Sequence, residues 1–319
     1  MRVLHLTNMW PSSGSPHAGT FVANLVNGLA RRGVEGDVLS IERWRSKLEY
    51  FRVVPRLIRM IRQGRFDLVH AQYAHCVLLA HVQRLLPVVG QFHGELQDGH
   101  GRKDFALAQL AARMTRHLIV VDGRSAERVH SPHVEVIPIG VDTDLFHPMD
   151  RSEARRKLGL QADRPYVLFS SDPARPEKDY PLFQRAFRAI QRRLPSAAEF
   201  ILHGRLYDEV PTILNAVDVL LLTSRAEASP TVVKEALLCN LPVLSTDVGD
   251  VRSRLRGVSA SAVLQRDPEV LAAAASAILG ARLRSNGCIR SSELDIEVTA
   301  DKTIAFYREV LAIEETLQR

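Results

Sequence analysis

Short apolar runs alternate with stretches of helical periodicity along the whole chain. In the first half, runs at 2–7, 36–41, 66–71, 87–92, 117–121 and 134–138 predict strands, and the 3–4-residue apolar spacing between them predicts helices at 18–32, 74–85 and 103–114. The second half repeats the order, with strands at 165–170, 198–203, 217–223 and 241–246 and helices near 180–193, 229–239 and 267–280. A last helix is predicted at about 299–316, with Ile304, Tyr307, Val310 and Leu311 on one stripe. Apolar strands that each lead into a helix predict parallel sheets covered on both faces. Pro138 to Asp150 breaks the alternation with Pro, Gly and Asp and marks a domain boundary. The expected fold is α/β, with two doubly wound domains (1–147 and 148–298) and a terminal helix (299–319). Ligands of such folds are expected at the carboxyl ends of strands, in a cleft between the domains.

Composition narrows the class. With 319 residues, 46% hydrophobic and 24% charged, the chain can bury a full core without disulfides or metals, and collagen-like, disordered and coiled-coil classes are excluded. The longest apolar candidate for a membrane span, Val270 to Ala281, is too short. The opening residues, Met1 to Thr7, lack the apolar core of a secretory signal. Cys76, Cys239 and Cys288 form no C-x-x-C pair and read as reduced thiols of a cytoplasmic protein.

Charge is concentrated. Residues 43–66 carry eight basic side chains (Arg43, Arg45, Lys47, Arg52, Arg56, Arg59, Arg62, Arg65) against Glu49, so this stretch alone is +7 and the rest of the chain, at a net +6 overall, is close to neutral. Within it Val54, Leu57, Ile58 and Ile61 predict an amphipathic helix starting near Pro55. Arg56, Arg59 and Arg62 lie on another face, and Trp44, Tyr50 and Phe51 lie just upstream. Two readings remain open: a solvated face over a core stripe, or a dock for anionic lipid headgroups at the inner membrane face. No nucleic-acid-reading motif accompanies the stripe, so nucleic acid is not expected as a partner.

The first strand leads to Gly14-Ser-Pro-His-Ala-Gly19-Thr20, which is neither a dinucleotide fingerprint nor a P-loop. Asp142-Thr143-Asp144 has the D-x-D pattern of some metal sites, but turn residues in a proline-rich linker explain it, and no metal site is expected. His5, His70, His75, His81 and His203 show no ligand spacing and read as structural, Cys239 as core, and Lys234 as a solvated helix residue. His93 differs because it follows a strand end. Ser229 and Pro230 read as the N-cap and first residue of a helix whose N–H groups could receive a phosphate. Glu227 before that helix and Glu235 inside it are acceptor-only groups suited to sugar hydroxyls. Both could equally be solvated surface positions.

Glu227-Ala-Ser-Pro-Thr-Val-Val-Lys-Glu235-Ala, followed by Asn240-Leu-Pro-Val-Leu-Ser-Thr-Asp-Val-Gly249, resembles the E-x7-E region of the family 4 retaining glycosyltransferases. Leu4 to Gly33, Phe66-Asp-Leu-Val-His-Ala-Gln, Phe92-His-Gly94, Ile137-Pro-Ile-Gly-Val-Asp142 and Arg175-Pro-Glu-Lys178 resemble that family's other landmarks in the same order. The resemblance implies a GT-B fold, two Rossmann-like domains facing a cleft, with the terminal helix crossing back to the first domain. It also implies transfer of a sugar from a UDP- or GDP-linked donor to a glycan or lipid-linked acceptor, retaining configuration, with no metal and no cofactor. Glu235 would hold the nucleotide ribose, Glu227 the donor sugar, and Arg175 and Lys178 the diphosphate. His93 would sit at the reacting sugar. Ser229, Pro230, Thr231 and Gly19 would lie against the donor.

The chain departs from the family pattern in places. Pro173 stands where an arginine is usual, so Arg175 takes that part. Ala228 replaces a glycine, Leu96 replaces an acid between Glu95 and Asp98, and the first domain is short. Alternatives are a sugar-nucleotide epimerase on the same fold and a non-catalytic relative that binds a glycan or a partner.

Overall fold

The structure is a computed structural model that describes residues 1–12, 18–42, 46, 48–97 and 102–318, without the side chains of 102, 291 and 318. Most of the loop from Gly14 to Gly19, and Arg43, Trp44, Arg45, Lys47 and Asp98, lie outside the described residues. The chain divides into two compact units, Val141–Asp295 and the remainder.

The first unit runs β1 (Arg2–Thr7), α1 (Thr20–Arg31), β2 (Glu35–Ser40), α2 (Glu49–Gln63), β3 (Leu68–Gln72) and α3 (Ala74–Ala80). It continues with β4 (Val88–Phe92), α4 (Arg102–Met114), β5 (His117–Val120), α5 (Gly123–Arg128) and β6 (His133–Val136). All six strands are parallel, in the order β2-β1-β3-β4-β5-β6. Every residue of β3 and β4 is buried, as expected of strands with neighbours on both edges and helices on both faces. One face of the sheet, with Leu4, Leu6 and Val69, packs on residues from α2, α3 and α4.

The second unit comprises α6 (Arg151–Lys157), β7 (Tyr166–Phe169), a 3-10 turn (Pro176–Lys178), α7 (Tyr180–Arg193), β8 (Ala198–Ile201) and α8 (Val210–Ala216). It then runs β9 (Val219–Leu222), α9 (Thr231–Leu238), β10 (Val243–Ser245), α10 (Val251–Arg254), β11 (Ala262–Val263), α11 (Pro268–Gly280) and α12 (Ser291–Leu294). Its five strands pair in the order β11-β10-β9-β7-β8, all parallel. Alternation along β9 sends Leu220 and Leu222 toward Ile213, Val233 and Leu237, and Val219 and Leu221 toward Phe183, Leu271 and Ile278.

The last helix, α13 (Ile296–Gln318), belongs to the first unit. There Ile296, Ala300, Ile304, Tyr307 and Val310 cover the second face of the sheet together with Leu25 and Leu29 of α1. Gly28 lets α1 approach closely, since a Cβ there would lie 3.3 Å from Ile296. The division falls at Gly140/Val141 and Asp295/Ile296 rather than at 147/148 and 298/299. Val141 and Phe146 are buried in the core of the second unit, which draws the linker to that side.

The basic helix also differs from its expected bounds. It starts at Glu49, so Pro55 lies inside it. The buried stripe is Val53, Leu57 and Ile61, one residue off the expected Val54 and Ile58, which are half-buried beside it. No helix among the described residues is long and apolar enough to cross a membrane.

Candidate functional site

In the second unit the chemistry gathers beyond the carboxyl ends of β7 and β9, where a parallel sheet presents its loops. The 3-10 turn ends at Lys178 and is fixed from below, because Thr223 Oγ1 donates to the carbonyls of Lys178 at 3.0 Å and Asp179 at 3.2 Å. Lys178 Nζ then reaches Glu227 Oε1 at 2.5 Å, and Ser224 Oγ donates to the same oxygen at 2.7 Å. Both partners are largely withdrawn from water, at 15% and 13% side-chain exposure, so the pair is screened far less than a surface ion pair. An ammonium has three N–H directions, and Glu227 takes one.

Asp179 follows immediately in the left-handed region (φ +48°), which aspartate tolerates, and caps α7 through Leu182 N. Its buried carboxylate also accepts from Arg225 Nε at 3.1 Å and from Arg266 Nη2 at 2.5 Å. Arg266 donates as well to the carbonyls of Thr223 and Ser224. Sequence reasoning passed over Arg225, Arg266 and Asp179; the only signal was the Asp-Tyr-Pro start of a helix.

The loop after β9 is pinned by Gly249. Its φ of +51° is one that L side chains rarely adopt, and a Cβ there would lie 2.0 Å from the carbonyl oxygen of Ala228. Asp250 N donates to that carbonyl at 3.0 Å. Ala228 is itself outside the left-handed region, so the missing glycine imposes no strain.

Ser229 is not the N-cap. Pro230 occupies the cap position and α9 starts at Thr231, while Ser229 Oγ turns to Asp250 Oδ2 at 2.8 Å beside Arg254 Nε, also at 2.8 Å. No side chain caps α9, so its first N–H groups keep their partial positive charge for a ligand.

Glu235 and Lys234 are buried rather than solvated, at 7% and 0% exposure. Burial pushes the Glu235 carboxyl up to about 7, against the pull of Lys234. It pushes the Lys234 ammonium down to about 7, opposed by Asp250. Arg175 stands apart from Lys178 and Glu227: it is exposed and held by Glu177 at 2.5 and 2.7 Å.

In the first unit, His93 follows β4 with its ring between Phe21 and Tyr73, at centroid distances of 4.8 and 4.9 Å. Glu95 fixes the turn by accepting from His93 N at 2.8 Å, Gly94 N at 2.9 Å and Ala74 N at 3.0 Å. Glu95 thus supplies a carboxylate next to the position where the family pattern has its acid. His93 Nε2 lies 2.5 Å from Gln72 Oε1, and burial lowers the imidazole pKa to about 3. Gly19, at φ +67°, packs a tight turn before α1, where a Cβ would fall 2.2 Å from Met9 O.

His5 and His70 are fully buried, whereas His75 and His203 are exposed. Asp142 Oδ1 accepts from the N–H groups of Asp144 and Leu145, the geometry of a turn. No cluster of metal-ligating side chains occurs among the described residues.

Thus Glu227, Ser229, Pro230, Thr231 and Glu235 follow β9 in one strand–loop–helix of the second unit, Lys178 joins them from the turn after β7, and His93 and Gly19 belong to the first unit.

The chain matches the family described as Glycosyltransferase Family 4 over residues 18–145 and the family described as Glycosyl transferases group 1 over residues 164–281. A D-inositol 3-phosphate glycosyltransferase of Geodermatophilus obscurus is 31% identical over 208 residues, covering 54% of this chain and 46% of that protein. One from Thermobispora bispora is 23% identical over 364 residues, covering 94% and 83%. The chain spans about half the length of the first of the curated relatives that it matches.

Among solved structures, sucrose-phosphate synthase from Thermosynechococcus elongatus superposes with a TM-score of 0.75 at 18% identity, covering 98% of this chain and 100% of that one. Anabaena HepE in complex with UDP and glucose does so with a TM-score of 0.70 at 18% identity, covering 96% and 98%. Two parallel Rossmann-like units with these neighbours are the GT-B fold. The two family matches fall in order on the two halves of that fold, and the chain belongs to the family 4, group 1 glycosyltransferases.

Proposed function

We propose that the chain transfers a sugar from a UDP- or GDP-linked donor to a glycan or lipid-linked acceptor, with retention of configuration and without a metal. The observation that carries this reading is the shielded Lys178–Glu227 pair beside the uncapped start of α9, with Glu235 buried one turn further in. Lys178 turns its remaining N–H groups to the donor diphosphate, Glu227 accepts from a sugar hydroxyl, and Glu235 accepts from the ribose. The N–H groups from Thr231 onward and the Ser229–Pro230 turn receive phosphate oxygens.

As the bond between C1 and the phosphate oxygen breaks, charge builds on the diphosphate, and Lys178 stabilises it where it develops. The acceptor oxygen attacks C1 from the leaving-group face and passes its proton to the departing phosphate oxygen. Arg175 joins only by leaving Glu177. His93 meets the reacting sugar, and the turn at Gly19 presents the uncapped start of α1.

The test is release of nucleoside diphosphate from UDP- and GDP-sugars with and without glycan acceptors, in buffer and in EDTA. Acceptor-dependent release that EDTA leaves unchanged supports the reading, and the anomeric proton coupling of the product reports retention. Release without acceptor, or a requirement for a divalent ion, contradicts it.

A lipid-linked acceptor places the enzyme at an anionic surface. On α2, Arg56, Arg59 and Arg62 are exposed around half-buried Val54 and Ile58, and Phe51 is 75% exposed. Each arginine near such a surface contributes about 1 kcal/mol. Sedimentation with phosphatidylglycerol vesicles at low salt should retain the chain and lose the R56E/R59E/R62E variant. Failure of the unaltered chain to bind would remove the membrane from the account.

A further inference from the structure

His93 is the near end of a buried chain of polar side chains. Gln72, the last residue of β3, has no exposed surface, and its amide joins His93 to His70 and so to Tyr307 of α13. The distances are 2.5 Å from Gln72 Oε1 to His93 Nε2, 3.2 Å from Gln72 Nε2 to His70 Nε2, and 2.5 Å from His70 Nδ1 to the Tyr307 hydroxyl. A glutamine, a histidine and a tyrosine fully withdrawn from water are costly unless each finds a partner. They find one another.

The orientation of the Gln72 amide sets the polarity of the chain. Its oxygen lies against His93 and its nitrogen against His70. In that orientation His93 carries its proton on Nε2, His70 accepts on Nε2, and His70 Nδ1–H faces the Tyr307 oxygen. Both histidines are neutral: burial lowers each imidazole pKa, and a second proton on His70 would set two donors against each other.

His93 Nδ1 is left over. It is buried and has no hydrogen-bond partner among the described residues. His93 also lines a small cavity with Gln91, Phe21, Val22, Leu25 and Thr299. A bare lone pair there is tolerable, whereas an orphaned N–H would not be.

We propose that Gln72 is a positioning residue of the candidate site: it locks His93 in the Nε2–H tautomer and so presents Nδ1 as the acceptor for a sugar hydroxyl. The ligand in this statement rests on the transferase reading above; the tautomer does not. The hydrogen-bond chain through His70 to Tyr307 orients the Gln72 amide and ties the His93 ring to the terminal helix.

The test is nitrogen NMR of histidine-labelled protein, in which protonated and bare ring nitrogens resonate far apart. In the unliganded chain His93 should show Nε2–H and bare Nδ1, unchanged from pH 5 to 8. Gln72→Leu should give mixed tautomers and a tenfold or greater fall in kcat/KM, while Gln72→Glu, which keeps an acceptor in place, should keep the tautomer. UDP-glucose or GDP-mannose, whichever the chain binds, should shift the Nδ1 signal.

The reverse tautomer in the unaltered chain, or an unchanged spectrum in Gln72→Leu, overturns the proposal, and so does an unmoved Nδ1 signal with a donor shown to bind. If Gln72→Leu does not fold, the unaltered chain and Gln72→Glu still decide the matter. Absence of transfer with every donor, alongside the expected tautomer, would sink the transferase reading and leave the role of Gln72 standing.

Discussion

The two units place their candidate groups in the same position on the same scaffold and hold them by opposite means. In the second unit, Glu227 is held by charge: a cation from the turn after β7, 49 residues away, and a hydroxyl three residues away. In the first unit, His93 is held by a neutral glutamine whose supports come from β3 and from a helix at the far end of the chain. A charged site answers to charge in the ligand, and a neutral one fixes which atom faces it. The difference suits a division of labour between a diphosphate and a sugar hydroxyl.

The comparison breaks most visibly at Lys178. Lys178→Ala should lower transfer by about 10²–10³-fold, the usual cost of removing one electrostatic partner of a developing oxyanion. Arg175→Ala should lower it less than about tenfold, because its guanidinium is exposed and already held by Glu177. Steady-state kinetics on the two variants checks this, and equal losses would place both cations on the phosphates.

The next effect is on folding. Gly249→Ala should destabilise by about 2–4 kcal/mol, since the new methyl must displace the Ala228 carbonyl as well as adopt a left-handed backbone. Gly257→Ala is left-handed too, at φ +75°, but meets nothing within 4 Å and should cost about 1 kcal/mol. Urea unfolding of both separates close approach from backbone strain.

Smaller, and opposite in sign, is the effect of Glu235→Gln. Burial raises the folded carboxyl from 4.5 to about 7, so its stabilising contribution is complete below 4.5 and is lost as pH rises through 7. Glutamine mimics the protonated form at every pH. The variant should therefore match the parent near pH 4.5 and exceed it by about 1–2 kcal/mol near pH 8, a few degrees in Tm, while binding nucleotide more weakly. A variant less stable than the parent at pH 8 would mean that Glu235 is held by its surroundings rather than tolerated for a ligand.

The same contrast governs how much could be read in advance. β1, β4, α7 and α11 came through as apolar periodicity because each is covered on one side or both, and the motif from Glu227 to Glu235 came through because its members are contiguous. What escaped depends on distance along the chain. Gln72 is an apolar-strand residue like its neighbours until α13 brings Tyr307 to His70, and Arg266 has no meaning until Asp179 is beside it. Lys234 looked solvated because charge usually is, and its burial is eased by the carboxyls of Asp250 on the neighbouring loop and of Glu235. Short helices such as α8 and α10 carry too few turns to show a period.

The account rests on the second unit binding a nucleoside diphosphate through Lys178 and Glu235. Thermal unfolding with UDP, GDP, ADP and TDP, each with and without EDTA, tests this on the unaltered chain and on Lys178→Ala and Glu235→Gln. A ligand at one hundred times its Kd adds about 2.7 kcal/mol. The account predicts that one nucleotide raises the Tm of the parent by several degrees, that EDTA leaves the shift unchanged, and that both variants lose most of it. A shift retained in both variants, or none with any nucleotide, would contradict it.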